Sequence, residues 1–531
     1  VVKIIQNADV SEVSDLDHNT REWVYNALDC CVTFEVRDSL KPLLDTVTRK
    51  TYDLSLALQA PVLDMSMRGL LVDEKHRQET LAKFQAQIDL LSKALTRLAT
   101  EGLGLELPPD IFDARTRKWK LWWRSVPRLK NLFYDVLGLP PVRKRNAQGR
   151  MAPTINREAL EKLSVYFLAE PFCAHLLALR DLDKKRSFLE TSIDADGRMR
   201  CNFNIAGTNT GRLASSMSDF GTGGNLQNVD RDLRYTFVAD PGYVYINLDG
   251  EQADARNVGA ICWNLFLDKH GPDFAGAYLN ACESGDLHTT VCKMAWHNLA
   301  WGSDPSGWRT VADAVAYRSD SFRQLAKKLG HGTNYYGQPP TMAKHSKVQV
   351  AIIAEFQDRY FEAFPAIKLW HQWVKDQLTS VSYITTLMGR RRSFFGRSWE
   401  AETLREAIAY APQSMTADEV DTGILQIWRE AKRFDAQMLV QVHDSILLQV
   451  PVEAANEAVP ALLKLMAVPQ QLLSGREFTV PIEAKIGFNW GDFDPSNPTL
   501  NPDGLRKWKG KLAVERQHIY RPRRKLSILE L

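Results

Sequence analysis

Apolar residues in the first third of the chain recur at helical steps. Leu54, Leu58, Val62 and Met65 stand three or four apart, which predicts a helix with one buried face. Gly69 stops that pattern before the short apolar run Leu70-Leu71-Val72. Residues 21–40 also read as helical, and helical periodicity dominates residues 41–190. Gly, Thr, Ser and Asn cluster over residues 207–228 and predict loops. The period then changes at Tyr243-Val-Tyr-Ile-Asn-Leu-Asp249, whose β-branched and aromatic residues predict a strand. Residues 261–403 return to helix, with a Trp-rich insert at Trp296, Trp301 and Trp308. Residues 436–450 read as two strands around a tight turn at His443-Asp444. No internal repeat interrupts this order.

One helical stretch carries an unusual stripe. Arg323, Lys327, His331 and Tyr335 are four apart, and each step of four drifts by only about 40° around a helix. One face would therefore present a guanidinium, an ammonium, an imidazole and a phenol in line. Cations suit phosphates, and flat rings suit a base. A solvated amphipathic face would look the same. Gly330 and Gly332 each cost a helix about 1 kcal/mol relative to Ala, a cost that a close approach by a base or template strand would explain. Pro339-Pro340 is expected to end the helix.

Composition narrows the class. The 531 residues are 44% hydrophobic and 25% charged, as in a folded protein, which excludes collagen-like and disordered classes. At roughly 150 residues per domain the length suggests three or four domains. No apolar run reaches the length of about 18 residues that a membrane span needs. Net charge is only +3, which excludes a uniformly basic coat but not a local basic groove. Residues 108–153 hold such a cluster: Arg115, Arg117, Lys118, Lys120, Arg124, Arg128, Lys130, Arg143, Lys144 and Arg145. It reads equally as a solvated face or as a phosphate-backbone contact. The last 31 residues hold nine Lys or Arg against three acids. Seven scattered cysteines without a Cys-x-x-Cys pair argue against a zinc ribbon and for reduced thiols in a cytosolic compartment.

Two aspartates stand at strand ends, Asp249 after an apolar strand and Asp444 at the tip of the apolar hairpin. A charge at a buried strand end is costly unless compensated. Two such carboxylates could hold divalent cations for phosphoryl transfer, and Mg²⁺ suits a site with few carboxylates. Turn aspartates are also ordinary, and position alone does not choose.

Taken in order, these segments resemble the family A DNA polymerases, the group of bacterial DNA polymerase I and its phage relatives. Asp249-Gly-Glu-Gln-Ala-Asp-Ala-Arg256 resembles the family's Asp-Tyr-Ser-Gln-Ile-Glu-Leu-Arg motif. Arg323-x3-Lys327-x7-Tyr335 resembles its nucleotide-binding finger helix, and Val442-His443-Asp444-Ser445 its Val-His-Asp-Glu turn. Thr210-Gly-Arg-Leu-Ala-Ser-Ser216, Asn225-Leu-Gln-Asn228, Asp286-Leu-His288-Thr289, the pair Arg405 and Gln413, and Gly487-Phe-Asn-Trp490 follow the same order. The resemblance runs from about residue 20 to residue 493.

The resemblance implies an α+β right-hand polymerase fold with thumb, palm and fingers. Residues 1–40 would be the C-terminal remnant of a 3′–5′ exonuclease-like domain and 41–190 thumb and palm base. The palm would comprise 191–260 and 404–495, the fingers 261–403, and 496–531 a basic C-terminal tail. The implied activity is template-directed addition of dNTPs to a primer 3′-hydroxyl, releasing pyrophosphate. Asp249, Asp444 and the Gly250 carbonyl would hold two Mg²⁺, with Mn²⁺ able to substitute. Lys327 would protonate pyrophosphate. Gln252, Asp254, His288, Arg323, Lys327, His331 and Tyr335 would bind the nucleotide. Arg212, Asn225, Gln227, Asn228, Arg405, Gln413 and His443 would touch primer–template DNA. The implied protein is a monomer in the cytoplasm (the bacterial host's, if phage-encoded), with no membrane contact and with room for a processivity or replisome partner.

Departures from the family pattern lean towards a phage-type member. Asp254 stands where Glu is usual, beside the sugar's 2′ position; His331 replaces Phe or Tyr; Ser445 replaces a Glu; Ala409 replaces Asn; and residues 219–224 form an insert. Tyr25-Asn-Ala-Leu-Asp29 resembles the last exonuclease motif, but a single carboxylate cannot hold two metals, so the chain as given is not expected to proofread. The rival readings are a single-subunit RNA polymerase and a non-catalytic DNA-binding or assembly protein built on a decayed polymerase.

Overall fold

The computed structural model describes residues 17–107, 111–113, 118–146, 149–317 and 320–512. Of the basic residues singled out above, Arg115, Arg117 and all those beyond Leu512 lie outside the described residues, as do the side chains of Lys118 and Lys120.

The described residues open with helix α1 (His18–Leu40), capped by the Asp17 carboxylate, which accepts from the Thr20 N–H. None of its residues is buried. Two short helices follow, and Gly69 ends the second at φ +64. A Cβ there would lie 2.5 Å from the Arg200 side chain and 2.7 Å from the Met199 carbonyl, so the stop is enforced by both conformation and close approach. Leu70–Val72 then pairs with Arg198–Met199 on one side and Phe237–Val238 on the other.

Helices α2 (Glu74–Arg97) and α3 (Glu170–Leu189) pack together and enclose a hydrophobic cluster with Trp122, Trp123, Phe133 and Leu160. Both indoles are hydrogen-bonded, Trp122 to Thr96 and Trp123 to Ser92, each at 3.0 Å. Of the basic run, Arg124 is paired with Asp183, while Arg143, Lys144 and Arg145 form an exposed hairpin strand opposite Met151–Pro153.

The central sheet is built from strand β1 (Tyr243–Gly250) and strands near the C-terminus. Helix α4 (Ala253–His270) starts two residues after β1. It is followed by α5 (Pro272–Glu283), α6 (Leu287–Ala295), α7 (Phe322–Asn334), α8 (Val350–Ala363), α9 (Pro365–Ser380) and the 30-residue α10 (Ala401–Glu430). Then come β2 (Gln437–Val442), β3 (Ser445–Pro451), α11 (Ala455–Met466), β4 (Ile482–Gly487) and β5 (Arg506–Lys507). The order across the sheet is β2-β3-β1-β4-β5, with every neighbour antiparallel. The segment read as a C-terminal tail thus begins as an edge strand: Trp508 continues the pairing with a bond to the Ala484 carbonyl (2.9 Å).

Strands β1, β2 and β3 are near-continuously apolar because the sheet is covered rather than exposed on one face. Ile246, Leu448, Val440 and Ile486 form one cluster with Val420, Ile424 and Ile427 of α10 and with Leu462 of α11. A separate cluster joins α4 to α9 and includes Leu404, Ile408, Tyr410 and Met415 from the first half of α10. One helix therefore belongs to two cores, and the boundary expected at residue 403 falls inside a continuous element.

The Trp insert is internally tied. The Trp301 indole donates to the Trp296 carbonyl (2.8 Å), and Lys293 sits over the Trp308 ring at 3.2 Å. Pro339 and Pro340 open a new helix (Pro339–Ser346) rather than closing α7, which has already ended at Asn334. The close approach expected at the α7 glycines comes from the protein itself: a Cβ at Gly332 would meet Met342 at 2.8 Å, and Gly330 faces Tyr360.

Ile246 is fully buried and pairs with Leu448 and Ile486. Replacing it with Ala should cost about 3 kcal/mol through the cavity left in the sheet core. A urea midpoint that does not move would show that this core is not what holds the strands.

Candidate active site

Asp249 ends β1, and Asp444 lies in the two-residue turn between β2 and β3, where His443 takes φ +56. Because β1 pairs directly with β3, the two acids meet at one end of the sheet. The Gly250 N–H donates to the Asp444 carbonyl at 3.3 Å. Register sets Asp249 opposite Ser445 on one neighbour and Glu483 on the other. Glu483 is thus a third carboxylate beside the pair, on the strand side away from Ser445. Partial burial, and then the neighbouring Asp444, push the Asp249 carboxyl up to about 6, and burial raises Asp444 as well.

The donors at this end of the sheet are oxygens only, which suits Mg²⁺ rather than a soft metal. Relief of the crowding between Asp249 and Asp444 is what a divalent cation supplies, so the donor set fits the implied ions. Among the described residues no group of three His, Cys, Asp or Glu side chains is close enough to hold a metal alone. Phosphate and water would complete the shell, as Mg²⁺ ordinarily allows.

Asp254, in the first turn of α4, is gripped from three elements. The Tyr335 hydroxyl donates to Oδ2 (3.0 Å), the Thr416 hydroxyl to Oδ1 (2.7 Å), and Arg212 reaches Oδ1 at 3.4 Å. Tyr335 caps α7 rather than continuing it, with the His331 ring edge-on at 4.6 Å. Gln252 takes φ +56, and its buried Oε1 has no partner among the described residues.

The stripe on α7 is not uniform. Asp286 accepts two bonds from Arg323, at 2.7 and 2.8 Å, and one from Thr289 at 2.7 Å. Although burial opposes it, the Arg323 and Thr289 bonds hold the Asp286 carboxyl well below its usual range. Lys327 is exposed and has no ion pair among the described residues. His288, one turn into the same cluster, is pushed down to about 4 by burial and then by Arg323 and Lys327. It is therefore neutral at pH 7 and adds no positive charge to the cluster.

The residues expected to touch DNA divide in the same way. Arg405, Asn228 and His443 are exposed, and Gln413 is half-buried one turn before Thr416 on α10. Asn225 caps the short helix Leu226–Asn228 and accepts from Ser215 (2.6 Å). Gln227 donates to Gln441 (2.8 Å) and to the Leu213 carbonyl (3.0 Å). These two are engaged by the protein. Tyr25 and Asp29 lie on the exposed α1, away from this cluster.

Sequence reasoning passed over Thr416, Asn257, Arg390, Asp418 and Glu483. Thr416 stands one turn beyond Gln413, a spacing that could have raised it. The others are joined to the site only by tertiary contacts.

The acid pair at the end of an antiparallel sheet, with Asp254 joined to Tyr335 at the end of the cationic helix α7 and helical clusters packed around the sheet, defines a right-hand polymerase architecture of the α+β class. The family described as DNA polymerase family A matches residues 110–297 and 306–492. The chain belongs to that family. It is 27% identical over 490 residues to DNA polymerase I of Deinococcus radiodurans, covering 89% of this chain and 45% of that protein. It is 25% identical over 435 residues to the thermostable DNA polymerase I of Thermus thermophilus, covering 78% of this chain and 47% of that one. The chain thus spans about half the length of the curated relatives it matches. Among solved structures, the POL domain of Pol1 from M. smegmatis, in complex with DNA primer-template and dNTP, shares the fold with TM-score 0.64 and 22% identity, over 82% of this chain and 70% of that one.

Desolvation and the neighbouring Asp444 push the folded Asp249 carboxyl up to about 6, above the value of about 3.9 it has when unfolded. The folded state therefore holds an extra proton between those values, and stability should fall as pH rises through that window. Asp249→Asn removes the repulsion and should stabilise the metal-free protein at pH 7 by about 1 kcal/mol after solvent screening. Equal denaturation midpoints for the two proteins at pH 7 would show that the pair is not strained.

Proposed function

We propose that this chain is a template-directed DNA polymerase that adds dNTPs to a primer 3′-hydroxyl and releases pyrophosphate. The observation that carries this reading is the convergence of Asp249 and Asp444 at one sheet end, in a chain of DNA polymerase family A. Bound there through Asp249, Asp444 and the Gly250 carbonyl, two Mg²⁺ (or Mn²⁺) would lower the pKa of the primer hydroxyl and stabilise the leaving group.

The chain's own residues do the rest. Lys327, exposed and unpaired among the described residues, meets the triphosphate as a free cation and is the proton donor to pyrophosphate. Arg323 arrives with Asp286 as its partner, so it offers an oriented guanidinium rather than a full unmatched charge. His288 donates a hydrogen bond. Gln252, with its unmatched oxygen, faces the nucleotide, and His331 and Tyr335 stack near the incoming base. Arg212, Asn225, Gln227, Asn228, Arg405, Gln413 and His443 line the approach of primer–template DNA. In this reading Asn225 and Gln227 act chiefly by holding the loop that presents Asn228.

The chain as given does not proofread in this reading. Tyr25 and Asp29 are exposed on α1, and a single motif carboxylate does not hold two metals. No helix among the described residues is long and apolar enough to cross a membrane, and the bacterial DNA polymerase I relatives favour a cytoplasmic setting. A monomer, a phage-type origin and room for a processivity partner complete the proposal.

Primer extension on a primed DNA template should require Mg²⁺ and dNTPs and should vanish in Asp444→Ala. Extension with rNTPs instead would favour the RNA polymerase rival. Retarded primed DNA without any extension would favour the binding-protein rival. Lys327→Ala should lower kcat by at least about 100-fold, the usual loss when a general acid is removed. A drop confined to KM would assign Lys327 to binding alone.

A further inference from the structure

Thr416 and Asn257 lie behind the nucleotide site and touch no expected substrate group. Thr416 is 1% exposed and Asn257 is fully buried. The Asn257 amide donates to the Thr416 oxygen (3.1 Å) and to Glu419 (3.0 Å). That leaves Thr416 one hydroxyl proton and two acceptors, the Asp254 carboxylate at 2.7 Å and the Pro412 carbonyl at 3.1 Å. The charged, closer acceptor takes it. The result is a directed chain from Asn257 through Thr416 to Asp254 Oδ1, with Tyr335 closing on Oδ2.

Asp254 has the place to use this rigidity. It stands in the first turn of α4, five residues after Asp249 at the end of β1, and its Oδ2 accepts from Tyr335. A nucleotide with phosphates at the aspartates and base towards Tyr335 therefore carries its sugar past Asp254. An aspartate held firmly at both oxygens is a fixed wall there, whereas one whose Oδ1 keeps only the long Arg212 contact at 3.4 Å can rotate about its short side chain and make room.

We propose that Thr416, oriented by Asn257, is a positioning residue that fixes the Asp254 carboxylate and so sets discrimination against a nucleotide 2′-hydroxyl. The inference rests on the polymerase reading given above.

The test compares kcat/KM for a dNTP and the rNTP of the same base on one primed template. The unsubstituted chain is measured beside Thr416→Val, which keeps shape and loses the hydroxyl, and Thr416→Ser, which keeps the hydroxyl. Thr416→Val should reduce the dNTP-over-rNTP preference about tenfold, the scale of one hydrogen bond to a charged group. Thr416→Ser should keep the original preference. An unchanged preference in an extending Thr416→Val, or an equal loss in Thr416→Ser, overturns the inference and leaves the polymerase reading intact. Should Thr416→Val not fold, Thr416→Ala is judged by the same ratio. No dNTP incorporation by the unsubstituted chain overturns the polymerase reading, and the inference with it.

Discussion

The structure depends on holding two like charges together at the end of a buried sheet. Asp249 and Asp444 are raised by burial and crowding, so the fold must spend stability to keep them there. It does so through register. Strand β1 is pinned between β3 and β4 along its length, and a slip of one residue would send every side chain of β1 to the opposite face and take Asp249 from its place opposite Ser445. The positive φ at His443 makes the turn tight enough for Asp444 to reach its partner. The apolar sheet core supplies the free energy that the acid pair consumes, which ties the energetics of the fold directly to the chemistry of its edge.

Helix α10 transmits that rigidity to the rest of the site. Its second half packs on the sheet, its first half joins the other core, and its middle carries the buried polar residues. Asp418, fully buried, accepts two bonds from Arg390 at 2.9 and 2.6 Å. Arg390 in turn fills the space beside Gly211, where a Cβ would lie 2.5 Å from the guanidinium carbon. Gly211 has φ +84 and precedes Arg212. The buried pair is a weak contribution to stability by itself, but its geometry fixes the loop from which Arg212 reaches Asp254. One rod thus fixes the surroundings of Asp254 twice, directly through Thr416 and, through Arg390, by way of the Arg212 loop.

What the sequence revealed follows from the range of the interactions. The β1 strand, the His443-Asp444 hairpin and the stop at Gly69 are written in residues close together, and the structure has them all. The α7 helix was legible, but its stripe was not uniform: Tyr335 leaves the helix, and Arg323 is matched by Asp286 from 37 residues away. The grip on Asp254 comes from residues 42, 81 and 162 positions distant, and no periodicity encodes such a meeting. The α7 glycines misled for the same reason, since the atom that crowds Gly332 belongs to Met342 on the next helix.

The unevenness of the α7 stripe has a physical logic. A triphosphate entering a row of bare cations would be held tightly wherever it lay, and binding alike in ground and transition states does not speed chemistry. Here Arg323 is already satisfied by Asp286, His288 is neutral, and Lys327 alone of the three is unmatched among the described residues. The attraction is therefore concentrated at the middle of the helix. In the polymerase reading, a nucleotide drawn there would have the Asp249–Asp444 pair on one side and Tyr335 on the other, with the Asp254 carboxylate between them. On that reading, charge distribution along α7 would select a single placement, and the fixed carboxylate would then test the sugar that arrives in it.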